Sequence, residues 1–372
     1  MTSCSNTRAA NPPLIGMNLD ELQALCVQAG VKPAHAETLR AHIFRRGNQD
    51  VRGIEQLPAH FYDFLELHSS RVQTELRALQ RSEDGTCKML LGMADGREVE
   101  TVLIPGKGRL TQCISTQVGC AVGCTFCLTA TGGLTRNLST AEMVSQIFAA
   151  QQHTGERPRN LVLMGMGEPL HNFEAVSRFI RLATDPKGMA FSPRRVTVST
   201  AGHVPGIERM IAEDLPCNLA LSLNATTDDT RSRIMPINRR WPIAEVLNWT
   251  SRFAAGQSKR ILIEYVMLAG INDSDADAHR LVELLADLPC TINLLPFNAF
   301  AASEFKRPGD ARVQAFREIL VRADRVVVVR ESRGRDISAA CGQLRTEVRQ
   351  TRRQPQTLPT DKNTDTLPLS GA

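Results

Sequence analysis

Six short apolar runs, each followed by a stretch of helical periodicity, constrain this chain more than any other feature. They lie at 111–116, 160–164, 195–199, 218–223, 260–267 and 291–295. Short runs of this kind between helices read as parallel strands buried on both faces. Their alternation argues for a parallel α/β sheet, either open and doubly wound or barrel-like. The first intervening helix announces its start with a capping box, Ser139 to Glu142, ahead of "MVSQIFAAQQ". A last strand, "RVVVVR", leads into "ESRGRDISAACGQL", and no internal repeat is visible.

The 372 residues suffice for one large domain with a small accessory one. Residues 1–13 and 351–372 are polar and read as disordered ends. Residues 14–75 carry three helical patterns: one from Asn18, where Glu21 completes a capping pair, one near 34–46 and one near 58–68. Residues 76–110 read as a β-hairpin extension turning at Asp95-Gly96 through a two-residue loop. The core then spans 111–350. No segment is long and apolar enough to cross a membrane, and the N-terminus lacks a signal-peptide core, so a cytoplasmic protein is expected. The net charge of +5 is modest, but arginine pairs recur at 45–46, 194–195, 239–240 and 352–353. They permit a phosphate-rich partner and are equally consistent with solvated surface.

Ten cysteines in a chain expected in reducing cytosol point to metal or catalysis rather than to a disulfide framework. Three of them, Cys120, Cys124 and Cys127, stand at CxxxCxxC spacing in "GCAVGCTFC". Structural zinc wants four ligands, and no fourth Cys or His is adjacent; His171 and His203 read as incidental. Three thiolates on one loop suit a [4Fe–4S] cluster with one iron left open. Other polar residues end the predicted strands: Gly167-Glu168, Ser199, Ser222 with Asn224, and Asn298. Parallel α/β folds bind ligands at the carboxyl ends of their strands, so this joint placement marks a site, although a lone Ser there is usually a turn or cap.

CxxxCxxC followed by "GEP" after the next strand resembles the radical S-adenosylmethionine superfamily. The fuller stretches "QCISTQVGCAVGCTFCLTATGGLTRNL", "MGMGEPLHN", "RRVTVSTAG" and "DISAACGQL" resemble its subfamily that methylates adenine in RNA. The resemblance runs from about residue 14 to 349 and implies a partial (β/α)6 barrel. It implies a [4Fe–4S] cluster on Cys120, Cys124 and Cys127, with two S-adenosylmethionine molecules used per turnover. Gly167, Glu168, Ser199, Ser222, Leu223, Asn224 and Asn298 would bind S-adenosylmethionine. Cys341 would carry the methyl group, Cys113 would resolve the covalent RNA adduct by forming a disulfide with it, and Glu100 would be the acid–base group. Read without the resemblance, Cys341 and Cys113 would be small buried hydrophobes and Glu100 a solvent-facing strand residue.

The implied substrate is an adenosine of 23S rRNA, methylated at C2, with a tRNA adenosine as a second target. A flavodoxin-type donor would supply electrons to a monomer. The alternatives are C8 methylation of the same base and a non-catalytic RNA-binding protein with a structural metal site. Arg40, Arg45 and Arg46 make the helical module the candidate RNA contact. The chain departs from the family at Asn224, where relatives usually carry His, and at "TATGG", often glutamine-rich in relatives.

Overall fold

The computed structural model describes residues 11–344, apart from 48, 107, 258, 259, 301, 302 and 332. The two expected disordered ends fall outside these residues, save 11–13, where Pro13 bridges to Ser70.

Three helices come first: α1 (Leu19–Gln28), α2 (His35–Arg46) and α3 (Ala59–His68). The capping box opens α1 as expected, the Asn18 side chain accepting from the Glu21 N–H at 2.9 Å while the Glu21 carboxylate accepts from the Asn18 N–H at 2.8 Å. An antiparallel meander follows, β1 (Thr74–Arg81), β2 (Cys87–Met93) and β3 (Glu98–Gly106). The expected hairpin is thus three strands, and its turn holds three residues rather than two. Met93 N–H bonds to the Arg97 carbonyl, and Gly96 takes the left-handed conformation (φ 78°) that closes such a loop.

β3 pairs antiparallel with β4 (Arg109–Cys113), which begins the parallel sheet. Next come the short pair β5 (Gln117–Gly119) and β6 (Leu134–Asn137), then α4 (Thr140–Thr154), β7 (Asn160–Leu163), α5 (Phe173–Thr184), β8 (Val196–Thr200) and α6 (Val204–Ala212). The chain continues through β9 (Asn218–Ser222), α7 (Asp228–Ile234), α8 (Ile243–Gln257), β10 (Ile261–Met267), α9 (Asp275–Leu284), β11 (Cys290–Pro296), α10 (Asp310–Arg322) and β12 (Val327–Val329). The main sheet has ten strands in the order β1-β2-β3-β4-β7-β8-β9-β10-β11-β12. From β4 onward every pairing is parallel and every strand lies beside its predecessor in that sheet. A doubly wound sheet would reverse its order at a switch point, so the barrel-like alternative is the one realised. The six apolar runs of the sequence are β4 and β7 to β11.

The helical module shares its core with the barrel. Ile15, Leu22, Leu39 and Phe61 belong to the same buried apolar cluster as Val144, Ile180 and Ile263. Arg40 is buried and paired with Asp185 next to the end of α5, so it fastens the module to the core and is not available to RNA.

Candidate active site at the carboxyl ends of the strands

The three-cysteine loop is closed at its base by β5 and β6, with the Cys120 N–H bonded to the Gly133 carbonyl at 2.9 Å. Gly119 is required there: its φ is 79°, and an added Cβ would stand 1.9 Å from the Gly133 oxygen. The loop rests on its own apolar cluster, which includes Val122, Phe126, Ile234, Met235 and Phe297. Burial pushes the Cys120 thiol up to about 12. Cys124 is pushed well up, first by burial and then by Cys127 and Cys120, so the three thiols face one another. Among the described residues no three Cys, His, Asp or Glu side chains converge tightly enough to ligate one ion. A [4Fe–4S] cube takes three protein thiolates, each on a different iron, whereas a structural zinc ion wants four protein ligands.

Beneath this loop lies Arg231, fully buried. Its guanidinium donates to the carbonyls of Leu223, Ala201 and Ser222 and to the Asn238 side-chain oxygen. Burial lowers its pKa to about 10, opposed by Cys124 and Asp228. It places a desolvated positive charge where an anionic cluster would sit.

At the end of β7 the GEP turn is built around Gly167 (φ 108°), where a Cβ would collide with Gln117 at 2.6 Å. The Glu168 carboxylate accepts from the Leu170 and Ala201 N–H groups at 3.1 and 2.7 Å, joining the ends of β7 and β8. Burial nevertheless raises its pKa to about 7, so it would gain from a cationic or N–H-bearing ligand. Ser199 and Ser222 are half-buried at the ends of β8 and β9. The Asn298 Oδ1 is buried and has no partner, an acceptor left for a ligand to satisfy. Asn224 is different. Its Oδ1 accepts from the Val266 N–H at 2.8 Å and its Nδ2 donates to the Met235 sulfur at 3.2 Å. Its side chain is therefore committed to the fold, at a left-handed φ of 58° that Asn tolerates.

Cys341 comes to this site from the far end of the chain. The Leu128 N–H bonds to the Gly342 carbonyl at 2.7 Å, and Thr129 Oγ1 donates to the Leu344 carbonyl at 2.6 Å, so the Cys341 turn is tied to the cysteine loop. Cys341 is solvent-accessible, yet the surrounding protein, with Glu264 next in effect, pushes its thiol up to about 11. Burial, with a smaller contribution from Cys341, drives the Cys113 thiol higher still, so the two thiols lie within electrostatic reach of each other.

Glu100, on β3, is buried beside them and pairs with Lys88. The Ser115 hydroxyl donates to the Glu100 carbonyl at 2.6 Å and accepts from the Met166 N–H at 2.9 Å. Gln146 bonds in both directions to the Ser115 backbone. This closed polar network fixes Glu100, Cys113 and the GEP turn in one frame.

Residues 114–282 match the model of the radical SAM superfamily. The dual-specificity RNA methyltransferase RlmN of Pelobacter propionicus is 52% identical over 271 residues, covering 73% of this chain and 78% of the relative. RlmN of Geobacter sulfurreducens is 45% identical over 331 residues, covering 89% and 91%. The chain belongs to the RlmN family. A crystal structure of a radical SAM methyltransferase from Sphaerobacter thermophilus matches with a TM-score of 0.86 at 41% identity, over 90% of this chain and all of that one. The RlmN family is one of radical S-adenosylmethionine enzymes, which use a [4Fe–4S] cluster and S-adenosylmethionine.

Sequence reading missed several residues of this site. Glu264 and Asn293 are two of them, standing opposite the expected Ser222 in register across β9, β10 and β11. Asn293 Nδ2 donates to Glu264 Oε1 at 2.7 Å, and Glu264 helps to raise the Cys341 thiol. The available signal was a lone acid inside the apolar run "ILIEYVM". His171 and His203 form an edge-on aromatic stack with Trp241, and His203 caps α6, in keeping with an incidental role. A cavity of about 900 Å³ beside α1, α4 and α5 contains none of the cysteines and belongs to the packing of the helical module.

Proposed function

We propose that this enzyme methylates C2 of an adenine in 23S rRNA, and of a tRNA adenine as a second substrate, through a methyl group carried on Cys341. The observation that carries the reading is that the Cys341 turn, from the far end of the chain, is hydrogen-bonded to the three-cysteine loop, with Cys113 within electrostatic reach of Cys341. A structural metal site would have no use for two further thiols and a buried carboxylate beside it.

Cys120, Cys124 and Cys127 would hold the cluster, and Gly167, Glu168, Ser199, Ser222, Leu223, the backbone of Asn224 and the open acceptor of Asn298 would cradle S-adenosylmethionine. When bound, this pair would supply the methyl group and the one-electron chemistry that an electron-poor purine carbon demands, including an acceptor for the single electron left on the adduct as the ring carbon loses its proton. Cys341 holds the carbon unit against the base. Glu100 takes the proton from the substituted ring carbon. Cys113 then loses its proton and bonds to the Cys341 sulfur. The sulfur–carbon bond breaks, and its electron pair leaves with the carbon, which takes up a proton to become the methyl group. A thiol reductant reopens the disulfide. We place the enzyme in the cytoplasm as a monomer, supplied with electrons by a flavodoxin-type donor.

Anaerobic incubation of cluster-reconstituted protein with reductant, S-adenosylmethionine and a 23S rRNA fragment, followed by nucleoside mass spectrometry, tests this. 2-Methyladenosine is the expected product. 8-Methyladenosine, or 5′-deoxyadenosine without any methylated adenosine, would overturn the assignment.

A further inference from the structure

Lys88, on β2, is 11% exposed, and its Nζ lies 3.0 Å from Oε1 of Glu100, which is 7% exposed. The same ammonium donates to the Ser338 carbonyl at 3.3 Å. Ser338 precedes Cys341 by three residues and holds a left-handed φ of 51°, in the turn that delivers the cysteine. One cation therefore touches both the carboxylate assigned to proton removal and the segment carrying the methylated thiol. In register Lys88 lies opposite Val102 and Glu100 opposite Leu90, so the side chain reaches along the strands to make the contact. Such a pair on the surface would be worth little. Here both partners are largely out of water, where breaking a charge pair costs far more than at the surface.

We infer that Lys88 is a positioning residue for the proton-transfer step, holding the Glu100 carboxylate aimed while anchoring the Cys341 turn in the same frame. The inference rests on the function proposed above. In the step concerned, the C–H bond at the substituted ring carbon breaks, its electron pair stays with the ring, and the proton passes to a Glu100 oxygen. Lys88 keeps its own proton throughout. Without the ammonium, the carboxylate loses the contact that aims it at the ring carbon, and the Cys341 turn loses its tie to β2.

The test compares Lys88→Met, Lys88→Arg and Glu100→Gln in reconstituted holoenzyme. Iron content and intact mass report the cluster and S-methylation of Cys341, and denaturing gels report covalent protein–RNA adduct. Glu100→Gln and Lys88→Met are expected to keep iron and the S-methyl group, to accumulate adduct, and to release product at least tenfold more slowly. Lys88→Arg, which restores the cation, is expected to recover most of the release. If Glu100→Gln traps adduct while Lys88→Met turns over like the parent, the role of Lys88 is overturned and the proposed function stands. Loss of iron or of S-methylation in Lys88→Met without adduct would make Lys88 merely structural. No adduct in Glu100→Gln would overturn the base assignment and the role of Lys88 with it.

Discussion

Cys113 and Cys341 lie within electrostatic reach of each other, and both thiols are held well above their ordinary pKa by burial. Disulfide exchange and closure proceed through thiolate, so two thiols kept protonated resist premature pairing in the resting protein. The arrangement suits a resolving cysteine that acts only after its partner has been loaded. Cys113→Ala should therefore leave S-methylation of Cys341 intact and accumulate a covalent protein–RNA species under turnover. A denaturing gel with only free protein would remove the resolving role from Cys113. At this scale the sequence revealed residues whose chemistry is local: the CxxxCxxC loop and the Gly167-Glu168 turn are written in adjacent positions. Lys88 and Arg231 were illegible because their meaning lies in contacts the chain makes only once folded, and Glu264 showed only as a lone acid in an apolar run.

The segment from Gly334 to Leu344 does at the element scale what Cys341 does at the residue scale. It leaves the sheet after the edge strand β12 and crosses to the turn between β1 and β2 before reaching the cysteine loop. Asp84 anchors this crossing, accepting from the Gly334 N–H at 3.0 Å and from the Thr86 N–H at 2.9 Å. Ser82 donates to Asp336 at 2.5 Å beside it. Burial alone would raise the Asp84 carboxyl, but the hydrogen bonds from Thr86, Gly334 and Ser82 outweigh it and hold the pKa at about 2, against an ordinary 3.8. A carboxyl depressed on folding stabilises the native state above its unfolded pKa, and that stabilisation is lost as pH falls through the folded one. Asp84→Asn should thus cost about 2 kcal/mol near neutrality, and the gap in Tm should close between about pH 4 and pH 2. A gap unchanged across that range would mean that charge on Asp84 does not secure the crossing. The strands and helices were legible in the sequence because periodicity and capping are local. The turn at Gly96 was misjudged by one residue, since Asp-Gly serves both a two-residue turn and the last two positions of a bulged three-residue one. The crossing itself had no local signature, being made of single hydrogen bonds between distant segments.

Over the whole molecule, the reaction requires a polyanion to be held long enough for a base to reach the thiols. The net charge of +5 is too small to do this by bulk attraction, so local groups must supply it. In the helical module, burial and the ion pair with Asp185 remove Arg40 from consideration. Arg45 and Arg46 remain, exposed in the last turn of α2 next to Gly47, on a module whose core is continuous with the barrel. That continuity matters, because a phosphate held by α2 is then fixed relative to the active site and not merely kept nearby. Each phosphate contact contributes a slope of roughly −0.7 to −0.9 to the dependence of log affinity on log salt. Arg45→Ala with Arg46→Ala should weaken RNA binding at low salt and flatten that slope by up to about 2. The S-methylation proposed for Cys341 should be unaffected, separating a docking defect from a damaged site. An unchanged slope across a salt titration would move the RNA contact away from this module, leaving the arginine pairs at 194–195 and 239–240 as the next surfaces to test.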